Sequence, residues 1–223
     1  MIKPKSSQTD TLTGLLTRKS FQEKYTSLLD KAKEKQIPLS LALIDIDKFL
    51  TINETYGHTP GDKVLETIAL IIKEKTDDTI LAARYGGDEF ALLFPNTERE
   101  QAFLTLEAIR ATINEQIITI DEKISLKGIC VSGGLASFPI DGRSESELLR
   151  KADQALYRAK LTGRNKIRLA YEERMVPKTS HFTQTQLERL SKLAEELGTG
   201  EAELLREALD TLLTKYGVND IET

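Results

Sequence analysis

Leu39-Ser40-Leu41-Ala42-Leu43-Ile44-Asp45-Ile46-Asp47 is an almost unbroken apolar run of strand length that closes on two carboxylates. A strand with so little polar alternation has no face to give to water, so it belongs inside a sheet covered on both sides. Covering it takes helices, and the flanking sequence has their period. Phe21, Tyr25, Leu28, Leu29 and Ala32 recur at helical spacing over Phe21–Gln36, and Pro38 ends that helix. Helical spacing returns over Pro60–Lys75, Glu98–Glu115 and Glu145–Leu161, while Ile80–Tyr85, Glu89–Phe94, Lys127–Phe138 and Lys166–Leu169 read as extended. Gly86-Gly87 between two strand-like segments predicts a tight hairpin, because the two-residue turns that follow strand twist need positive φ. One hairpin among interleaved strands and helices predicts an α/β (α+β) sandwich, a mixed sheet flanked by helices.

The 223 residues suffice for one mid-sized domain plus a small appendage. A composition break at Tyr171–Thr179 places the boundary between residues 1–172 and 173–223. In the second part, Leu187, Leu190, Leu193, Ala194 and Leu197 form one helical stripe, with Gly198 as its C-cap, and Leu204, Leu205, Ala208, Leu209 and Leu212 form another. Two helices this short cannot bury their apolar faces alone, so they need a partner. No apolar run approaches the ~20 residues that cross a bilayer, and Met1-Ile2-Lys3-Pro4-Lys5 lacks the apolar stretch of a secretory signal. The single cysteine, Cys130, fits a reducing cytoplasm, and with two histidines it leaves no ligand set for zinc. Net charge is −4. All of it lies beyond residue 174, and neither part has the basic excess that binds nucleic acid through counterion release.

Acidic residues collect where strands end. Asp45 and Asp47 close the apolar run on one face, with Ile46 on the other, and Asp88-Glu89 follow the glycine pair directly. If the hairpin packs beside the central strand, these acids converge at one edge of the sheet. Mutually repelling carboxylates call for a multivalent hard cation, the alternative being acids that merely solubilise strand ends. Lys160 and Arg164 are four apart near a helix end, on one face, with Gly163 allowing a sharp exit. They suit a phosphate chain or, equally, the negative end of the helix dipole.

These residues resemble a known family. Arg84-Tyr85-Gly86-Gly87-Asp88-Glu89-Phe90 contains the signature of the GGDEF diguanylate cyclases. The resemblance extends over roughly Thr9–Leu169, through Asp10-x-Leu12-Thr13-Gly14-Leu15 with Arg18, Asp45-Ile46-Asp47-x-Phe49, Asn53, Tyr56-Gly57-His58, Gly61-Asp62, and Ala152-Asp153-Gln154-Ala155-Leu156-Tyr157 on to Ala159-Lys160 and Gly163-Arg164-Asn165. It implies a nucleotidyl-cyclase-like fold that joins two GTP molecules into cyclic di-GMP. By the same resemblance, Asp45, the Ile46 carbonyl, Asp88 and Glu89 hold the metal, Mg²⁺ or Mn²⁺, and Asp88 and Glu89 carry the catalysis. Asn53 and Asp62 meet guanine with His58 nearby, Phe49, Lys160 and Arg164 cradle the phosphates, and Gly86 and Gly87 let the ribose approach.

The chain departs from that pattern in places. Leu50 stands where the family usually has Lys, Thr17 replaces a common Asn, and Glu54 replaces a common Asp. The family's product-inhibition motif Arg-x-x-Asp would begin at position 77, where this chain reads Asp77-Asp78-Thr79-Ile80. Lys178–Thr183 and the helices behind it resemble a ribbon-helix-helix module, an obligate dimer that often binds DNA. Glu201 and Glu203 at the second helix's start repel a DNA phosphate, which favours a homodimer without DNA. Three other readings stay open: a non-catalytic GTP or cyclic-dinucleotide receptor, for which Leu50 argues; a DNA-binding regulator whose nucleotide domain acts as a switch; and a tail that is only a helical hairpin packed on the first domain.

Overall fold

A computed structural model describes residues 8–120, 124–170, 180–197 and 200–216. The chain divides into two compact units, 1–173 and 174–223. In the first, strand β1 (Leu16–Thr17) leads into α1 (Arg18–Lys35), then β2 (Leu39–Ile46), α2 (Phe49–Tyr56), α3 (His58–Lys75), β3 (Leu81–Arg84), β4 (Glu89–Pro95) and α4 (Arg99–Glu115). A small hairpin of β5 (Ile118–Thr119) and β6 (Ser125–Leu126) follows, then β7 (Val131–Phe138), α5 (Glu145–Leu161) and β8 (Ile167–Leu169). The six-stranded mixed sheet runs β1-β3-β4-β2-β7-β8.

The apolar run does what its composition requires. Every residue of β2 is buried, with β4 antiparallel on one side and β7 antiparallel on the other. Its residues sort by parity. Leu39, Leu41 and Leu43 join Phe21, Tyr25 and Leu29 of α1 and Leu148, Ala152 and Leu156 of α5. Ala42, Ile44 and Ile46 join Val64, Leu65, Ile68 and Ile72 of α3 and Leu106, Ile109 and Ile113 of α4. The sheet is thus the middle of three layers, as the interleaved sequence predicts.

Several local expectations change. Helix α2 and strand β1 are not apparent from periodicity, being too short to show one. Helix α3 begins at His58, two residues before Pro60, because proline suits a first helical turn. The extended stretch Lys127–Phe138 contributes only Val131–Phe138 to the sheet. Lys160 and Arg164 do not share a helical face. Helix α5 ends at Leu161, and Gly163, Arg164 and Asn165 all take positive φ, at 103°, 61° and 47°. The turn at Gly86-Gly87 is longer than two residues, since Tyr85 N–H and Gly86 N–H both donate to the Glu89 carbonyl. Neither glycine adopts the left-handed conformation that a tight two-residue turn demands.

In the second unit, α6 (Gln184–Leu197) and α7 (Glu201–Lys215) are the two amphipathic helices expected. The expected ribbon begins outside the described residues, at Lys178 and Thr179, and Ser180–Thr183 have no regular structure. The composition break at Tyr171–Thr179 and the cap Gly198 also lie outside them.

Helix α5 rests on β7 with no room between. A methyl at Gly134 would sit 2.0 Å from the Ala152 carbonyl oxygen and 2.3 Å from Leu156 N. Gly134→Ala is expected to lower unfolding free energy by about 1–3 kcal/mol in urea denaturation, because α5 must lift off the sheet.

Candidate functional site

Parity carries the β2 carboxylates onto the α5 face of the sheet. Asp45 pairs across with Glu89 on β4 and with Ser132 on β7, so Glu89, Asp45 and Ser132 form one row. Like charges directly opposite on neighbouring strands repel. Asp45 is only 8% exposed. Burial pushes its carboxyl above the ordinary value, Lys160 opposes the shift, and nearby Asp88 and Glu89 add to it. The Lys160 ammonium reaches down from α5 to within 2.8 Å of Asp45 Oδ2.

Asp47 has a different job. Its carboxylate accepts from Ser132 Oγ at 2.8 and 3.1 Å and from the Asn165 N–H at 3.0 Å. The Arg164 guanidinium lies 4.0 Å away. Asp47 therefore fastens the Thr162–Asn165 turn to the end of β2 and holds Arg164 there. Among the sequence-derived acids it is the one already saturated by the protein.

The glycine turn is gripped from behind. Arg84 donates to the Gly87 carbonyl at 3.1 and 2.8 Å and pairs with Asp10 at 3.6 Å. Tyr85 packs edge-on against Phe21 and under the Arg18 guanidinium. Asp10 in turn accepts from Thr13 N–H and Oγ1 at 2.9 and 2.7 Å. A Cβ at Gly86 would lie 2.7 Å from Glu89 Oε2, the free end of a side chain that can swing away, whereas Gly87 opens onto free space. The Asp88 carbonyl accepts from Ile46 N–H at 3.2 Å, which ties the turn to β2.

Two hollows flank this turn. One, of about 360 Å³, is lined by Phe49, Leu50, Asn53, His58, Asp62, Leu65, Arg84, Gly87 and Asp88. The other, of about 270 Å³, lies between Glu89 and the α5 residues Asp153, Gln154, Leu156, Tyr157 and Lys160. Asp88 faces the first hollow and Glu89 the second. Arg164 lines neither. Helix α2 brings its amino end to the first hollow, and its N-cap Lys48 supplies no side-chain cap. The Asn53 Oδ1 atom is buried against Gly61 without a hydrogen-bond partner, and that glycine leaves room for it. Arg84, Asp153 and Tyr157 escape the sequence reading as site-lining residues. Their proximity to the glycine turn and Lys160 was the available signal.

The donor set is all oxygen, which suits Mg²⁺ or Mn²⁺. Among the described residues no three acidic, histidine or cysteine side chains converge as a ready-made cage. The three carboxylates expected to hold the ion, Asp45, Asp88 and Glu89, are neighbours but are not drawn together around one point, with Asp88 on one hollow and Glu89 on the other.

Two outcomes follow. Asp47→Ala strands the Ser132 hydroxyl and the Asn165 N–H, and is expected to cost about 1–3 kcal/mol in chemical denaturation. Burial acts to raise the Asp10 carboxyl, but Thr13 and Arg84 outweigh it and hold it below the ordinary value. The unfolded chain therefore takes up that proton first. Stability from Asp10 is whole above about pH 4 and is lost as pH falls further. Asp10→Asn is expected to shallow the acid limb of a stability–pH curve below pH 4.

Both parts of the chain are similar to known proteins. Residues 7–166 match the diguanylate cyclase GGDEF domain, and residues 175–217 match a ribbon-helix-helix domain. Diguanylate cyclase A of Treponema denticola is 38% identical over 168 residues, 72% of this chain and 44% of that protein. The response regulator PleD of Caulobacter vibrioides is 35% identical over 159 residues, 71% of this chain and 35% of that protein. This chain thus spans less than half the length of these curated relatives. The crystal structure of the GGDEF domain of DgcB from Caulobacter crescentus in complex with c-di-GMP matches with a TM-score of 0.70 at 34% identity, covering 77% of this chain and 97% of that one. The chain belongs to the GGDEF diguanylate cyclase family and carries a ribbon-helix-helix domain at its C-terminus.

Proposed function

We propose that residues 1–172 condense two GTP molecules into cyclic di-GMP and two pyrophosphates, as half of a homodimer paired through residues 173–223. The observation that carries this reading is the meeting of two hollows at Asp88-Glu89, directly beside the buried Asp45. One hollow has the groups to hold a guanine nucleotide. The Asp62 carboxylate accepts from the N1–H and N2–H₂ of guanine, and Asn53 lines the same hollow. Adenine presents a ring acceptor where Asp62 requires a donor, so the pocket selects GTP. The free N–H groups at the start of α2 face the β- and γ-phosphates, with Lys160 and Arg164 as cations.

Gly87, open on its outer side, lets the ribose and α-phosphate lie against the turn. Asp45, the Ile46 carbonyl, Asp88 and Glu89 would hold Mg²⁺ or Mn²⁺, whose charge would ease loss of the 3′-hydroxyl proton and neutralise the phosphate oxygens. Asp88 takes the proton from the 3′-hydroxyl as its oxygen bonds to the α-phosphorus of the second nucleotide. The bond from that phosphorus to pyrophosphate breaks, and repetition closes the ring. Each domain brings one nucleotide, so pairing is obligatory.

The tail supports pairing. Leu187, Leu193, Leu197, Leu205, Leu209 and Leu212 remain substantially exposed on the two helices. A second copy of such a surface is the natural cover, and Glu201 in the first turn of α7 disfavours DNA. A cytoplasmic setting belongs to the same reading.

Incubation with GTP and Mg²⁺ is expected to yield cyclic di-GMP by mass, and Asp88→Ala is expected to lower the rate at least 100-fold or so. GTP binding without product would favour a receptor, which Leu50, 69% exposed at the pocket mouth, makes the second reading. Full-length protein with Leu209→Glu is expected to sediment as a monomer and lose activity at low concentration. Added product is expected not to inhibit noncompetitively, because Asp77 spends its carboxylate on Thr79 and no arginine stands there.

A further inference from the structure

Asp45 already has a cation. Lys160 Nζ sits 2.8 Å from Oδ2, on a stem that crosses the hollow between Glu89 and α5. Asp45 needs that charge more than its neighbours do. It is buried in the middle of the Glu89–Asp45–Ser132 row, with Asp88 close by. Asp47 does not share the need, since Ser132 and Asn165 satisfy it and Arg164 stands 4.0 Å off. An ammonium paired with Asp45 has much of its charge neutralised there, so it attracts a triphosphate less than a released one does. A divalent cation does not share a carboxylate comfortably with a primary ammonium, because the two repel at that range. Lysine suits such a double duty, being a point charge on a flexible stem.

We infer that Lys160 is an exchangeable counter-ion. It neutralises Asp45 until a divalent cation takes over that carboxylate, and the released ammonium then turns to the triphosphate. Cation and nucleotide consequently tighten each other's binding through one side chain, reciprocally. A subunit that has captured only one of the two holds it weakly, which biases each half-site toward being fully loaded or empty. The inference rests on the reading of Asp45 as a cation ligand given under Proposed function.

Binding measurements on the full chain separate the possibilities without any turnover. Mn²⁺ alone is titrated by electron paramagnetic resonance against wild type, Lys160→Met and Arg164→Met. Lys160→Met is expected to bind Mn²⁺ about fivefold tighter or more, and Arg164→Met, which removes the same charge beside Asp47, to change it much less. GTP alone is then titrated in EDTA. Asp45→Asn frees Lys160 and is expected to tighten metal-free GTP severalfold, a gain that vanishes in the Asp45→Asn/Lys160→Met double variant. Equal Mn²⁺ effects of the two single variants, or an Asp45→Asn gain that persists without Lys160, would overturn the exchange while leaving the cyclase reading intact. Wild type that binds neither Mn²⁺ nor GTP would remove both.

Discussion

The carboxyl end of β2 is where the fold and its chemistry meet. A strand covered on both faces is stable because its leucines and isoleucines leave water, but the same covering carries Asp45 into surroundings where a carboxylate is costly. Cross-strand register then sets Glu89 beside it, and the turn brings Asp88 near. The fold has built a place where negative charge is concentrated and partly dehydrated. Such a place demands positive charge, and Lys160 answers in part.

Everything around that point positions it. Asp10, Thr13 and Arg84 grip the Gly87 carbonyl, while Phe21 and Arg18 hold Tyr85. These contacts fix the turn from the α1 side and leave its outer face open to a ligand. Asp47 plays the same part for the turn after α5. It looks like a functional acid and works as a fastener, whereas Asp45, two residues earlier on the same face, retains unmet electrostatic need.

The tail obeys a different economy. Two helices of 14 and 15 residues expose a run of leucines that neither can cover for the other. In the first unit the four long helices pack against the sheet. A second copy of the chain is the cover proposed above for that stripe, and assembly is the part it gives the tail.

Much of this was legible in the residues alone. The unbroken apolar run required a central, doubly covered strand, and period-3.6 spacing located the four long helices that cover it. The ordered blocks around Gly86-Gly87-Asp88-Glu89-Phe90 pointed to the family. Short elements were not legible, since α2 and β1 span too few residues to display a period. Nor were partnerships. Sequence spacing placed Lys160 and Arg164 on one helical face, yet the positive φ at Gly163–Asn165 sends them to different carboxylates. Composition and periodicity are local properties, so they determined the elements and the kinds of residue at their ends. Which acid is satisfied and which is left wanting depends on register between strands and on how a helix lies across them, and only the tertiary structure decides that.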